Sequence, residues 1–252
     1  MNNNYLLRQK DLVKQLEDSF ANGVQKSAVV EMLKNYANDD QICLTSVVFI
    51  PKEISSKIIS SVINKLKEIE PQHYFYPPES MHLTIKNIRT INKPPLFSGT
   101  DINKVNQLFN EIVPKFPIFK FNVEDILIFP TSLSVMAYSN DTLQKLVSAL
   151  DNRLQKIGVP DNKKYLSDSI FWGNITICRF IENPGDQFIA EVKKMRSWKI
   201  GKFKVEKLNL ITCNAVCYPE SRKIIGEYEL RKEFAAKPKH YFGVPLKTER
   251  KT

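Results

Sequence analysis

Two short segments carry the polar side chains that are best suited to chemistry. The first reads His82-Leu83-Thr84-Ile85 and the second reads Asn174-Ile175-Thr176-Ile177. Side chains alternate between the two faces of a strand, so each segment would present its first and third residues on one face. Histidine titrates near neutral pH and can act as acid or base, and hydroxyl groups can stabilise charge on a phosphoryl group. We therefore expect two matching strands that line a polar groove.

Four further residues are candidates for substrate binding. Lys86 continues the face of the first motif and is expected to contact phosphate, with a solvated strand-end lysine as the alternative. Arg179 has the opposite strand parity from the second motif's threonine, so it reaches the groove only if that strand bends. Tyr76 and Tyr138 are candidate proton donors or platforms for base stacking, with half-exposed strand tyrosines as the alternative. His73, among aromatic neighbours, is expected to be structural.

The charge of the chain favours anionic partners. The 252 residues carry a formal net charge of +10, which suits nucleic acid, nucleotides or acidic surfaces; a lysine-rich solubilising surface is the alternative. No apolar run approaches the roughly 20 residues that span a bilayer, and the N-terminus lacks an apolar signal core. We therefore expect a cytoplasmic protein that does not bind membranes.

The cysteine pattern does not predict a metal site. Cys213 and Cys217 are spaced C-x3-C, but no histidine or second cysteine pair completes a set of zinc ligands. A cytosolic setting makes disulfides unexpected for these two and for Cys43 and Cys178. We interpret all four as small buried hydrophobic residues and predict neither a metal nor a cofactor.

The two motifs must be positioned by strands and helices that alternate along the chain. Apolar side chains at helical spacing predict helices near residues 6–20, 29–36, 55–69, 102–113, 141–157 and 186–195. Alternating or β-branched runs predict strands at 45–51, 121–129, 133–138, 202–212 and 223–230, a strand pair around Pro77-Pro78 and a strand through the second motif. Gln144 is placed for a capping box and Gly158 for a helix C-terminus.

Two units follow the same plan, which is a strand or hairpin, an amphipathic helix and then a strand that carries x-x-T-I. This weak repeat predicts an α+β fold with two pseudo-symmetric lobes, each an antiparallel sheet with helices on its outer face, around a central groove. We divide the chain into an N-terminal helical extension (1–40), a bilobal domain (41–230) with an insertion at about 91–121, and a basic C-terminal tail (231–252).

In these features the chain resembles the 2H phosphoesterase superfamily, which includes 2′-5′ RNA ligase-like proteins and cyclic phosphodiesterases. That superfamily carries one H-x-T-x motif in each lobe, matched here by the segment from His82 to Ile85 and, in place but not in letter, by the segment from Asn174 to Ile177. The resemblance covers roughly residues 44–230. It implies general acid–base chemistry on a phosphodiester, without metal, in which the histidines transfer protons and Thr84 and Thr176 hold the phosphate.

The second motif departs from the superfamily, because Asn174 stands where a histidine is expected and an amide cannot transfer protons. Three interpretations stay open. The protein is a weakened enzyme that relies on His82, or a module that binds a nucleotide or RNA end without cleaving it, or a chain in which asparagine was introduced for histidine. A scaffold built on the N-terminal helices is a third class of function. The oligomeric state is not set by the sequence, and a monomer is our expectation.

Overall fold

The computed structural model describes residues 3–21, 30–163 and 166–232, and its centre is one mixed-length antiparallel sheet. Eight strands follow the order β7-β4-β5-β6-β3-β1-β8-β9, and the short β2 pairs with β6 beyond the end of β3. The strands are β1 (Ile42–Phe49), β2 (Tyr74–Phe75), β3 (His82–Asn92), β4 (Phe119–Phe129), β5 (Ser132–Tyr138), β6 (Gly173–Arg179), β7 (Lys199–Val205), β8 (Lys207–Cys213) and β9 (Lys223–Glu229).

The sheet consists of two four-stranded halves that barely touch. Strands β7, β4, β5 and β6 form one half, and β3, β1, β8 and β9 form the other. The halves are joined by a single residue pair, Leu83 with Ile175, between β3 and β6. Beyond this pair β3 and β6 form no further ladder with each other, and β6 pairs with β2 toward its Arg179 end. The α+β class is confirmed, and the sheet face that carries His82 and Thr176 is called the groove side below.

Five helices accompany the sheet in the described residues. They are α1 (Asn3–Ala21), α2 (Lys52–Ile58 continued by a π-helical segment Ile59–Ile63 and by Asn64–Ile69), α3 (Gly99–Ile112), α4 (Asp141–Lys156) and α5 (Asp186–Lys194). A capping box of Ser98 and Asp101 begins α3, and Asn140 caps α4 through a bond from the Thr142 amide. Gly158, with φ of 75°, ends α4 in the left-handed region as predicted.

Two predictions about helices were wrong: the helix over residues 29–36 and the start of the helix over residues 55–69. Residues 30–41 form turns and extended chain rather than a helix, and Tyr36 is buried there with its hydroxyl donating to the Phe180 carbonyl. The rest of the predicted 29–36 helix lies outside the described residues, as do residues 233–252 of the basic tail. Helix α2 begins directly after Pro51 rather than at Ser55, because the Pro51 carbonyl already accepts from the Ile54 and Ser55 amides.

The main core lies between the helices and one face of the sheet. It joins side chains of α2 to α5 to the outward face of both halves, as Ile58, Leu83, Phe109, Leu150 and Ile175 show. Two smaller apolar clusters lie on the opposite, groove-facing side. One contains Cys43, Val47, Ile211, Cys213 and Cys217 on the β1–β8 half, and the other contains Val13, Leu127, Met136 and Tyr138 on the β4–β5 half.

Candidate functional site

The two motif strands lie side by side with their polar residues on the groove side. The pairing of Leu83 with Ile175 places both of these residues in the main core, fully buried. By alternation the flanking residues point to the other face. His82, Thr84 and Thr176 are half-buried there, and Asn174 is exposed. The structure thus brings together the four residues that the sequence singled out, and none of them points into the core.

Gly173 makes the close approach of the two strands possible. A Cβ atom at this position would lie 2.3 to 2.9 Å from side-chain carbons of Leu83. Leu83 is itself fully buried, so it has no free space into which it can withdraw. The glycine therefore fixes the junction from which the groove opens, a role that fits close backbone approach in a strand.

His82 is held by its backbone neighbour. Its Nδ1 lies 2.8 Å from the Ser80 carbonyl oxygen, and because a carbonyl only accepts, Nδ1 carries a proton and Nε2 is the titrating nitrogen. Burial lowers the pKa of His82, but the adjacent Cys217 side chain and the Ser80 carbonyl outweigh it and raise the pKa above its ordinary value. His82 is therefore suited to donate a proton at neutral pH.

Thr176 also has a defined partner. The Ser134 hydroxyl on β5 donates to the Thr176 Oγ1 at 3.4 Å, and the two residues are partners in the strand register. An accepted hydrogen bond leaves the Thr176 hydroxyl proton free to be donated. The Thr176 hydroxyl can therefore donate to an anion while it accepts from Ser134.

The prediction for Lys86 was wrong. The pairing of β1 with β3 shifts register between Thr84 and Lys86, so one extra residue enters the strand and reverses its alternation. Lys86 consequently points away from the groove. It is 1% exposed, and its Nζ lies 2.9 Å from Asp151 and 2.7 Å from Asp161. This buried cation is a structural residue.

A similar register shift in β6 turns Arg179 toward the groove, whereas the shift in β3 turns Lys86 away from it. The shift in β6 falls between Thr176 and Cys178 in the pairing with β5, and both Ile177 and Cys178 are buried in the main core. The next residue, Arg179, therefore returns to the groove side, where it is half-buried and its Nε donates to the Tyr76 hydroxyl at 3.4 Å. The bend that the sequence analysis required is present.

Neither predicted tyrosine is available as a stacking platform. Tyr76 is 3% exposed, and its hydroxyl donates to the Ala215 carbonyl while it accepts from Arg179. Tyr138 is 1% exposed, and its hydroxyl bonds to Asp125 at 2.9 Å. Tyr138 also lies beneath α1, against Val13. Tyr76 supports Arg179 rather than a ligand, and Tyr138 belongs to a covered apolar cluster.

Helix α1 covers the groove-facing side of β4 and β5. Its fully buried Gln9 donates to the Phe171 carbonyl and accepts from the Ser139 amide. Tyr5 accepts from the Phe171 amide at 3.0 Å, and Arg196 binds Glu17 of the helix through two nitrogens. The helix therefore walls the groove beyond Asn174 without covering that residue, which remains exposed.

Sequence reasoning missed two residues beside His82. Cys217 lies in the loop after β8, at φ of 51°, and the Arg222 guanidinium reaches its sulfur at 3.8 Å. Arg222 also lies over the Phe49 ring, 4.7 Å from its centroid. The strand register pairs Phe49 with His82. No short motif marks these residues, because the contacts join separate parts of the chain.

Lys163 was also missed. Burial lowers the pKa of this lysine, Asp161 opposes that effect, and the nearby cations Arg179 and Lys86 strengthen it. On the groove side the positive charges are those of Arg179, beside Tyr76, and Arg222, beside Cys217. In the described part of the chain, no group of three or more His, Cys, Asp or Glu residues is arranged to hold a metal ion.

His73 is structural, as its aromatic surroundings suggested. It is 4% exposed, its Nδ1 accepts from the Ile181 amide at 3.4 Å, and its Nε2 lies 2.7 Å from Glu70. Its ring packs on Phe180 and Phe188. It is therefore not a substitute for the histidine missing at position 174.

A cavity of about 340 Å³ opens on the β1–β8 half. Its wall includes Phe49, the register partner of His82, together with Asn209. The other lining residues are Val48, Lys204, Glu206, Lys207, Ile224 and Glu227. The lining thus combines an aromatic ring and a buried amide with two lysines and two glutamates, and Lys207 pairs with Glu227.

The fold is found in solved structures with little sequence similarity. TT0787 of Thermus thermophilus shares 15% identity, with 76% of this chain covering 100% of that one at a TM-score of 0.56. E. coli LigT, in a complex with ATP, shares 16% identity, with 76% and 99% covered at 0.52. ATU0111 from Agrobacterium tumefaciens, a conserved protein of unknown function, shares 13%, with 79% and 93% covered at 0.51.

The crystal structure of a phosphoesterase is similar to the same extent, with 15% identity, 76% of this chain and 99% of that one covered, and a TM-score of 0.51. No protein-family model and no curated protein sequence matches this chain. The chain shares its fold with TT0787 and E. coli LigT, so the fold expected from the two motifs is confirmed. None of the helices in the described ranges is long and apolar enough to cross a membrane.

Proposed function

We propose that this protein is a 2H-type phosphoesterase that acts on a 2′,3′-cyclic phosphate or a 2′-5′ phosphodiester of RNA or a small nucleotide. The observation that carries this proposal is the juxtaposition of the two motifs, with His82 and Thr84 on β3 and Asn174 and Thr176 on β6, on the groove side of one narrow strand junction. The LigT-like fold and that protein's complex with ATP support a nucleotide as the ligand.

The phosphate would sit over the strand junction. The Thr84 and Thr176 hydroxyls and the Asn174 amide supply hydrogen-bond donors, and Arg179 supplies a positive charge. These groups stabilise charge that develops on the phosphoryl oxygens. The adjoining cavity, with Phe49 and Asn209, has the size and lining to accept the nucleoside.

His82 would act as the general acid. With Nδ1 held by Ser80 and a raised pKa, the protonated Nε2 can donate to the leaving ribose oxygen as water attacks phosphorus. Asn174 stabilises the phosphate but cannot remove a proton from the water. The missing base is expected to lower the rate by about 10²–10⁴-fold relative to a site with two histidines.

Asn174 also favours a second candidate function, that of a module that binds nucleotide or RNA ends without cleaving them. The two threonines, Arg179 and the Asn174 amide can all bind an anion. Asn174 cannot transfer a proton, so one of the two expected proton-transfer groups is absent. The two candidates share a ligand and differ only in turnover.

Turnover and binding of 2′,3′-cyclic nucleotides and short 2′-5′ oligomers separate these candidates. The enzyme is supported if slow hydrolysis occurs and His82→Ala reduces it by about 10²-fold or more, while Thr90→Ala, farther along β3, leaves it unchanged. Saturable binding without hydrolysis supports the module. Absence of both binding and hydrolysis across these ligands refutes both.

A further inference from the structure

Three of the four cysteines converge on the groove-facing side of the β1–β8 half. Cys43 and Cys213 are directly opposite each other in the strand register, and their sulfur atoms are 3.7 Å apart. Cys217 packs in the same cluster. Directly opposed residues in an antiparallel pair have Cα atoms about 4.5–5.5 Å apart, within the span of about 4.4–6.8 Å that a disulfide requires. A bond between Cys43 and Cys213 therefore needs only a small movement of the sulfurs.

The loop that carries Cys217 is held rigidly over this pair. Asn214 is 1% exposed, and its Nδ2 donates to the carbonyls of Tyr36, Ala37 and Asp39. Its Oδ1 accepts from the Val216 and Tyr218 amides. These bonds stabilise the loop and, with it, the left-handed backbone of Cys217, a conformation that is costly for a residue with a side chain.

The cluster is connected to His82. The Ser80 hydroxyl donates to the Cys217 carbonyl at 3.1 Å, and the Ser80 carbonyl binds His82 Nδ1. The Cys217 side chain is itself a neighbour of His82, and it also bonds to Cys213. A change at Cys213 therefore reaches His82 through one intervening thiol.

We propose that Cys43 and Cys213 form a thiol-oxidation site for a hydroperoxide, and that the resulting disulfide switches off the adjoining His82 half of the groove. The Cys43 thiolate attacks the distal peroxide oxygen, which gives Cys43 sulfenic acid and, from hydrogen peroxide, hydroxide that is protonated to water. The Cys213 thiol then attacks the sulfenic sulfur, the S–S bond forms and a second water leaves. Two thiols are oxidised, and the peroxide is reduced.

The order of attack follows from exposure. Cys43 is 7% exposed, whereas Cys213 is 2% and Cys217 is 0% exposed. A peroxide therefore reaches Cys43 first, and Cys213, which is its partner in the strand register, is the resolving residue.

The effect on His82 rests on the proposed function. The Cys213 bond and the charge of His82 lower the pKa of Cys217 to about 4. A disulfide removes the Cys213 proton, so the Cys217 thiolate loses its main stabilising contact and His82 loses part of the charge that keeps it protonated. The oxidised protein is therefore expected to hydrolyse substrate more slowly.

In the test, the full-length protein is treated with hydrogen peroxide at neutral pH and its free thiols are labelled with one alkylating reagent. The protein is then reduced, and the thiols released from disulfides are labelled with a second reagent. Peptide mapping is expected to show a Cys43–Cys213 disulfide that dithiothreitol reverses, with Cys178 still reduced. Cys178 is the control, because it is buried like Cys217, at 0% exposed, but lies in the main core, away from these three. Four unmodified thiols, another pairing, or oxidation of Cys178 at the same rate would overturn the proposal.

Variants distinguish failure of this proposal from failure of the proposed function. Cys43→Ser and Cys213→Ser should abolish the crosslink, and Cys178→Ser should retain it. In the enzyme, peroxide should lower turnover at least about tenfold in the wild type, by analogy with loss of an acid catalyst, but not in Cys43→Ser. A disulfide without any loss of activity overturns the switch alone. Absence of turnover before oxidation, with the disulfide still formed, refutes only the phosphoesterase activity.

Discussion

The two halves of the groove share a backbone plan but differ in what surrounds their polar residues. On the β3 half, His82 rests against the Ser80 carbonyl and the Cys217 loop. On the β6 half, Asn174 is an exposed amide whose register partner Met136 is covered by α1. Both strands carry a register shift at the isoleucine that ends the x-x-T-I sequence. The fold therefore preserves the symmetry of the strands, while of the two motifs only that on β3 carries a histidine.

Restoring the second histidine should produce the largest change. Asn174 is exposed, so Asn174→His can be accommodated without overpacking. The new imidazole can act as a base toward water, and hydrolysis of a 2′,3′-cyclic nucleotide should rise by about 10²–10⁴-fold. Steady-state kcat on a 2′,3′-cyclic nucleotide checks this, with Asn174→Gln as the control that should not gain activity.

Removing a threonine hydroxyl should have a smaller effect that is similar in the two halves. Hydrogen bonds to charged groups contribute about 1.5–3 kcal/mol, so Thr84→Ala and Thr176→Ala should each weaken ligand binding by roughly ten-fold or more. Calorimetric titration with a cyclic nucleotide measures this, and Thr90→Ala provides the control on the same strand. Equal affinity for Thr84→Ala and Thr90→Ala would remove Thr84 from the site.

Closing the space at the strand junction should destabilise the fold. Gly173→Ala places a methyl group against Leu83, which is fully buried. Overpacking of this kind typically costs about 1–3 kcal/mol, and it should also separate the two motifs. Urea denaturation measures the loss, and Gly99→Ala, where no atom lies within 4 Å of the added Cβ, is the control. An unchanged unfolding midpoint would show that the halves can move apart freely.

Cys217→Ser should change pH dependence rather than overall architecture. A raised pKa keeps His82 protonated to higher pH, so turnover that needs its proton persists above the ordinary histidine range and is lost as pH rises through that pKa. Without the thiolate, this loss should begin at lower pH. The pH profile of kcat tests the shift, and Cys178→Ser should leave it unchanged. Identical profiles for Cys217→Ser and the wild type would exclude a role for Cys217 in setting the protonation of His82.

Local patterns were sufficient to predict most of the elements and the two motif strands. Alternation correctly placed His82, Thr84, Asn174 and Thr176 on one side. Alternation failed for Lys86, because the register shift that turns it toward Asp151 depends on pairing with β1 rather than on local sequence. The bend needed for Arg179 depends in the same way on pairing with β5.

Contacts between distant parts of the chain account for the remaining differences. Cys217 reaches the site because Asn214 ties its loop to residues 36–39, which are far away in sequence. The cover over Tyr138 depends on the docking of α1 through Gln9. Neither arrangement leaves a periodic or motif signal, so neither could be predicted from composition or spacing.

A double-mutant cycle on 2′,3′-cyclic nucleotide hydrolysis tests most directly whether His82 is the acid and position 174 is where the base is missing. It compares the wild type, His82→Ala, Asn174→His and the variant with both changes. If His82 is the acid and position 174 is the site of the missing base, Asn174→His raises kcat strongly only when His82 is present. An equal gain with and without His82, or no gain in either background, would contradict this account.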